Sequence, residues 1–178
     1  MKTKKLFTIG HGIRPAQDFL QLLQDNGINC LVDVRTKPFS RWHPQYNQKA
    51  LKNFLESNNI TYIFLGDSLG GRPADASFYT TNGKVDYNKL SQATFFIDGI
   101  TQLVDEIIPE YNAAIMCSES KPADCHRTHL VAKALDPDKI EVQHINEKGN
   151  LLTQNKVLKP ARQKDAQLKL FTEDKNDK

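Results

Sequence analysis

The sequence is poor in several things, and each shortage closes off a class of protein. It has three cysteines, Cys30, Cys117 and Cys125. They are too few and too unevenly spaced for a disulfide framework, so free thiols in a reducing compartment are expected. No apolar run approaches the roughly 20 residues that span a bilayer. The basic start Met1-Lys2-Thr3-Lys4-Lys5 is followed only by Leu6-Phe7-Thr8-Ile9 before Gly10-His11-Gly12. That is too short for the apolar stretch of a secretory signal. A cytoplasmic protein with no membrane partner is the expectation. Net charge is only +3, so bulk electrostatics does not announce a polyanionic partner.

What is present fits a globular domain. Hydrophobic residues make up 39% and charged residues 25% of 178, a balance that supports one well-filled core. Short apolar runs at 6–9, 28–34, 60–65, 113–117 and 140–145 read as strands. Helical patterns lie between them at 15–25, 48–57, 87–108 and 122–135, with Asn26-Gly27 and Pro109 as stop signals. Strands alternating with helices predict a single three-layer α/β domain over 1–152, with a mostly parallel sheet of about five strands and helices on both faces. Residues 66–86 are expected to form a long polar loop of the kind that often serves as a lid. Apolar periodicity fades from Thr153, so 153–178 is expected to be an extension, partly disordered at its end.

In such folds ligands sit beyond the carboxyl ends of the strands. Each predicted strand delivers a reactive or charged residue to that edge: His11, Asp33 with Arg35, Arg72, Cys117 with Glu119, and His144. The densest stretch runs from Met116 to Arg127, where strand, turn and helix start fall within a dozen residues. A helix N-terminus favours anions and acidifies thiols. Cys117 or Cys125 is therefore a candidate reactive thiol, with His126 for proton transfer and Arg127 as an anion clamp. Read plainly, both sulfurs pack as small hydrophobes. Cys125 and His129 are four apart on one helix face, and Cys117, His126 and His11 could come near, so a metal is a minor alternative. No Cys-x-x-Cys or His-Glu-x-x-His spacing is present, however, so no metal ligands are assigned and no cofactor is expected. Asp33 and Arg35 share one face of a strand end, as an anion site or as a structural ion pair.

From Arg35 to Leu55 there is no acidic residue, while Arg35, Lys37, Arg41, Lys49 and Lys52 are basic. Phe39, Trp42 and Tyr46 are interleaved among them. Aromatic faces for bases and cations for phosphates make up a single-strand nucleic-acid contact. The alternative is a rigid loop whose aromatics pack over helix ends.

Thr8-Ile9-Gly10-His11, Leu31-Val32-Asp33-Val34-Arg35 with Pro38 and Ser40, Leu69-Gly70-Gly71-Arg72, and Met116-Cys117 through Cys125-His126-Arg127 together resemble the bacterial and archaeal family called domain of unknown function 488. The resemblance extends from about Leu6 to Asn150; Gly12 stands where the family usually has Ser. It implies a compact α/β domain and no established reaction, although some members carry a DNA-repair label.

The residues themselves support an enzyme acting on a nucleotide or nucleic-acid substrate. Cys117 would be the nucleophile, Glu119 and His126 the proton carriers and His11 a polarising donor. Asp33, Arg35, Arg41, Trp42, Arg72 and Arg127 would hold an anionic small molecule or nucleic acid. A non-catalytic nucleic-acid-binding module using residues 35–46 is the alternative, and a redox sensor using Cys117 and Cys125 the third.

Overall fold

The computed structural model describes residues 3–159. Its centre is a six-stranded sheet in the order β3-β2-β4-β1-β5-β6. The strands are β1 (Lys4–Gly10), β2 (Cys30–Asp33), β3 (Thr61–Phe64), β4 (Ala113–Cys117), β5 (Ile140–Ile145) and β6 (Leu151–Thr153). The first five are parallel and β6 runs antiparallel to β5. β2 and β4 are buried at every position, as strands covered on both faces must be.

The alternating side chains divide the core in two. Phe7, Ile9, Leu31, Ala114 and Met116 meet Phe19, Leu20 and Leu23 of α1 (Ala16–Asp25) and Leu51 and Leu55 of α2 (Gln48–Glu56). Leu6, Cys30, Val32, Ile115 and Val142 face the opposite layer. That layer is built from α3 (Gly66–Leu69), α4 (Tyr87–Leu90), α5 (Thr94–Thr101), α6 (Ile108–Glu110) and the helical segment 126–134. Helices therefore cover both faces, as the alternating sequence predicts. α1 ends where Gly27 adopts φ +65°, letting the Ile28 amide fold back onto the Leu23 carbonyl.

Three local departures have physical reasons. The helix expected over 87–108 is broken after Leu90. Asp86 caps the short α4 through the Asn88 and Lys89 amides, and a second start follows at Thr94. Pro109 does not end this run; a π-helical turn, Gln102–Ile107, widens the chain ahead of it. A widened turn suits a residue without an N–H whose ring crowds the preceding turn. Second, 66–86 is not a featureless loop. It holds α3, a 3-10 turn at Ala76–Phe78 and a bridge between Tyr79 and Val85. Third, a strand that the sequence did not predict, β6, straddles the expected boundary at Thr153. The extension starts within this strand and continues as α7 (Gln154–Leu158); its part from 160 onward lies outside the described residues. No helix among the described residues is long and apolar enough to cross a membrane.

The strand order decides what meets at the carboxyl edge. β4 lies between β2 and β1, with Asp33 opposite Met116 and Gly10 opposite Cys117. Residues far apart in sequence thus end side by side.

Candidate functional site

Two side-chain clusters stand at this edge. The first surrounds the thiols. Cys117 closes β4, and the chain returns through a 3-10 turn, Pro122–Asp124, to Cys125, which precedes the helical segment 126–134. The two Sγ atoms lie 2.6 Å apart, and both cysteines are free. Arg127, with no exposed surface, donates from Nη1 to Cys117 Sγ at 2.8 Å and to the Glu119 carbonyl at 2.8 Å. Its Nη2 reaches the Ser120 carbonyl, while Nε has no partner among the described residues. The Arg127 amide points at Cys125 Sγ at 3.5 Å, and Glu119 Oε2 lies 3.3 Å from the same sulfur.

His126 is held by its far nitrogen. Nε2 donates to the Val34 carbonyl at 3.0 Å, and Nδ1 lies 3.6 Å from Cys125 Sγ. Gly71 backs the ring; a Cβ there would fall 2.6 Å from His126 Cγ. Gly10 makes room on the other side, since a Cβ on it would collide with the Glu119 carbonyl and Arg127 Nη1. The two glycine-containing segments singled out in the sequence are thus walls of the thiol site.

The sulfurs are not equivalent. Burial, together with the hydrogen bond it gives to Cys125, pushes the Cys117 thiol well up. Burial also opposes ionisation of Cys125. There the hydrogen bond from Cys117, the neighbouring His126 and the Arg127 charge prevail, and its pKa falls to about 6. Glu119 is held below the usual carboxylate range: burial opposes this, but donors at its carboxylate and the His126 charge outweigh it. The surroundings thus favour ionisation at Cys125 over Cys117. Cys30, buried in β2, is driven up to about 12 by burial and is inert at neutral pH.

The second cluster is structural. Asp33 grips Arg35 through two side-chain bonds, Nη2 to Oδ2 at 2.7 Å and Nε to Oδ1 at 2.9 Å. Tyr62 donates its hydroxyl to Asp33 at 2.7 Å, and Arg35 also bonds the Tyr46 carbonyl. Arg35 Nη1 faces His11 Nε2 at 3.3 Å, while His11 Nδ1 donates to the Gly12 carbonyl. The ring stacks on Tyr46, centroids 4.2 Å apart. His11 therefore has no proton free to give a ligand, and Arg35 has its charge answered within the protein. Of the two readings of Asp33 and Arg35, the geometry is that of the ion pair.

The other candidates lie apart. Arg41 and Trp42 are exposed in the loop after β2. Arg72 is exposed, anchored through its amide to Thr36 Oγ1. His144 is wholly buried between Thr8 Oγ1 and Gln154, inside the sheet rather than at the edge. Tyr87, which the sequence did not single out, sits close enough to Cys125, Glu119 and Arg72 to feel their charges. Its hydroxyl is pushed up, by burial first and then by the two acids. It is the first residue of a short helix, and no pattern in the sequence aims it at β4.

The family described as Domain of unknown function DUF488 matches residues 15–134. The chain belongs to this family. No match is found among curated proteins or solved structures. The DUF488 range holds β2, β4, both site thiols, Glu119, His126 and Arg127. β1, with Gly10 and His11, lies before it, and β5 after it.

Proposed function

We propose that the protein works through a dithiol centre in which Cys125 is the attacking thiolate and Cys117 the resolving thiol. The observation that carries this reading is the 2.6 Å separation of two free sulfurs at the carboxyl edge. A disulfide needs about 2.05 Å, so closure asks for a side-chain adjustment rather than a backbone rearrangement. The reading moves the nucleophilic role from Cys117 to Cys125, the sulfur that accepts the helix amide and faces Glu119 and His126.

Burial restricts the co-reactant. Cys125 is 2% and Cys117 0% exposed, which suits an oxidant as small as a hydroperoxide. The Cys125 thiolate attacks the peroxide oxygen; the O–O bond breaks and the leaving alkoxide or hydroxide takes a proton. Cys117 then displaces hydroxide from the sulfenic acid, giving the disulfide and water. Two electrons pass from the sulfur pair to the peroxide, and a thiol reductant returns them.

Stoichiometric hydrogen peroxide added to the reduced full chain should remove two thiols, lower the mass by two hydrogens, and join the Cys117 and Cys125 peptides. Cys30 should remain alkylatable after unfolding. Cys117→Ser should stop at the sulfenic acid. Oxidation to sulfinic acid in the wild type without a cross-link would sink the proposal.

A second reading rests on the loop after β2. Trp42 is 88% and Phe39 69% exposed, so they do not pack over helix ends. Their backbone is pinned: the Ser40 amide bonds Asn47, and the Gln48 amide bonds the Pro38 carbonyl. Lys37, Arg41 and Lys49 are exposed beside them. Ordered aromatics among cations that have no salt-bridge partner among the described residues suit single-stranded nucleic acid. A short oligonucleotide should quench Trp42, with affinity falling as salt rises and weakened by Arg41→Ala. Quenching independent of salt, or none, would return the loop to a structural role.

A further inference from the structure

The donors around the thiol pair are more than thiol chemistry requires. We infer that Cys117, Cys125 and Glu119, with His126 beside them, form a binding site for a zinc-class divalent cation. Cys117 Sγ, Cys125 Sγ and a Glu119 carboxylate oxygen lie within 4.8 Å of one another. His126 Nδ1 lies 3.6 Å from Cys125 Sγ but outside that set of mutually close donors. Two thiolates and a carboxylate are ligands that zinc accepts, with the fourth tetrahedral position open to water or to an inward turn of His126.

The spacings can be compared with that geometry. Bond lengths of about 2.3 Å to sulfur and 2.0–2.2 Å to nitrogen or oxygen set a sulfur about 3.5 Å from a lighter ligand across a tetrahedral ion. Cys125 Sγ lies 3.6 Å from His126 Nδ1 and 3.3 Å from Glu119 Oε2. The sulfur pair, at 2.6 Å, must open by about 1 Å to admit the ion.

Three surrounding features match what metal ligands are given. His126 donates its other ring nitrogen to the Val34 carbonyl, the partner that fixes the tautomer and aims the free nitrogen at a metal. N–H groups are directed at both sulfurs: Arg127 Nη1 at Cys117 and the Arg127 amide at Cys125. Lastly, Arg127 is buried without a carboxylate partner among the described residues. A buried cation requires an answering charge. Two thiolates and a carboxylate around a divalent ion leave one negative charge, and Arg127 neutralises it.

The spacing Cys117-x-Glu119-x5-Cys125-His126 matches none of the familiar zinc patterns, so the sequence alone lends a metal near Cys117, Cys125 and His126 little weight and does not include Glu119. The site shares its sulfurs with the dithiol reading but not its chemistry.

The test is a cobalt titration of the reduced, metal-free full chain. One equivalent should produce the thiolate-to-cobalt charge-transfer band and the visible bands of a tetrahedral site, and zinc should displace it. His126→Gln and Glu119→Gln should each weaken binding by about tenfold or more, with far-ultraviolet circular dichroism confirming the fold. No charge-transfer band, or full affinity in both variants, would overturn the site. Absence of cobalt binding in a protein that still forms the Cys117–Cys125 disulfide refutes the metal site alone. Cobalt binding without a peroxide-driven cross-link refutes the redox reading alone.

Discussion

Asp33→Asn should cost about 3–5 kcal/mol of stability, the range expected when one partner of a buried ion pair is removed. Asp33 is wholly buried and Arg35 nearly so. Asp33 accepts from Arg35 Nε, Nη2 and backbone amide, and from the Tyr62 hydroxyl. Without the carboxylate, the guanidinium remains in the core with only the Tyr46 carbonyl and His11 to answer it. In a chain of this length the loss corresponds to a melting temperature lower by on the order of 10 °C. Asp33→Leu combined with Arg35→Met should cost less than the single change, because no charge is stranded. A single-variant loss below about 1 kcal/mol, as for exposed pairs, would show that water reaches Arg35.

The second large effect is acid destabilisation by two histidines. Burial lowers His144 to about 4, with Arg127 contributing. Burial lowers His11 to about 4 as well, and the Arg35 charge against its Nε2 works in the same direction. In the unfolded chain both titrate near 6.5. Between 6.5 and 4 the unfolded state holds protons that the folded state refuses. The stability is therefore fully present above about 6.5 and lost as pH falls toward 4, by about 3 kcal/mol for each group. Urea midpoints between pH 7.5 and 4.5 should fall steeply, and His144→Gln should make that fall shallower. A flat profile would mean that both rings take up protons without unfolding. In the fold as described, burial is what opposes the second proton on His144, since the Thr8 and Gln154 oxygens facing its nitrogens can both accept.

The sequence made the sheet legible because burial on both faces leaves a plain mark. Ala113–Cys117 and Ile140–Ile145 coincide with their predicted spans. β6 left none, since three half-exposed residues carry no periodicity. The gathering of Cys117, Glu119, Cys125, His126 and Arg127 was legible too, because one strand end and one helix start bring them together. The division of labour among them was not. Which sulfur ionises depends on where the Arg127 amide and the Val34 carbonyl point, and which histidine is free to act depends on what its other nitrogen bonds. His11 and His126 look alike in sequence. The Gly12 carbonyl and Arg35 occupy the first, while the second keeps Nδ1 available.

The position of β1 also dictates an order of assembly. Among the described strands it pairs with β4 and β5, while β2 and β3 pair with each other next to β4. As the chain leaves the ribosome, its first strand has no sheet partner until the fourth has been made. Closing so large a loop is a slow, non-local step. Gly10 opposite Cys117 is thus a contact between an early and a late part of translation. The niche for Arg127 exists only after that contact forms, so the two sulfurs share a finished chamber only in a chain whose sheet is already built.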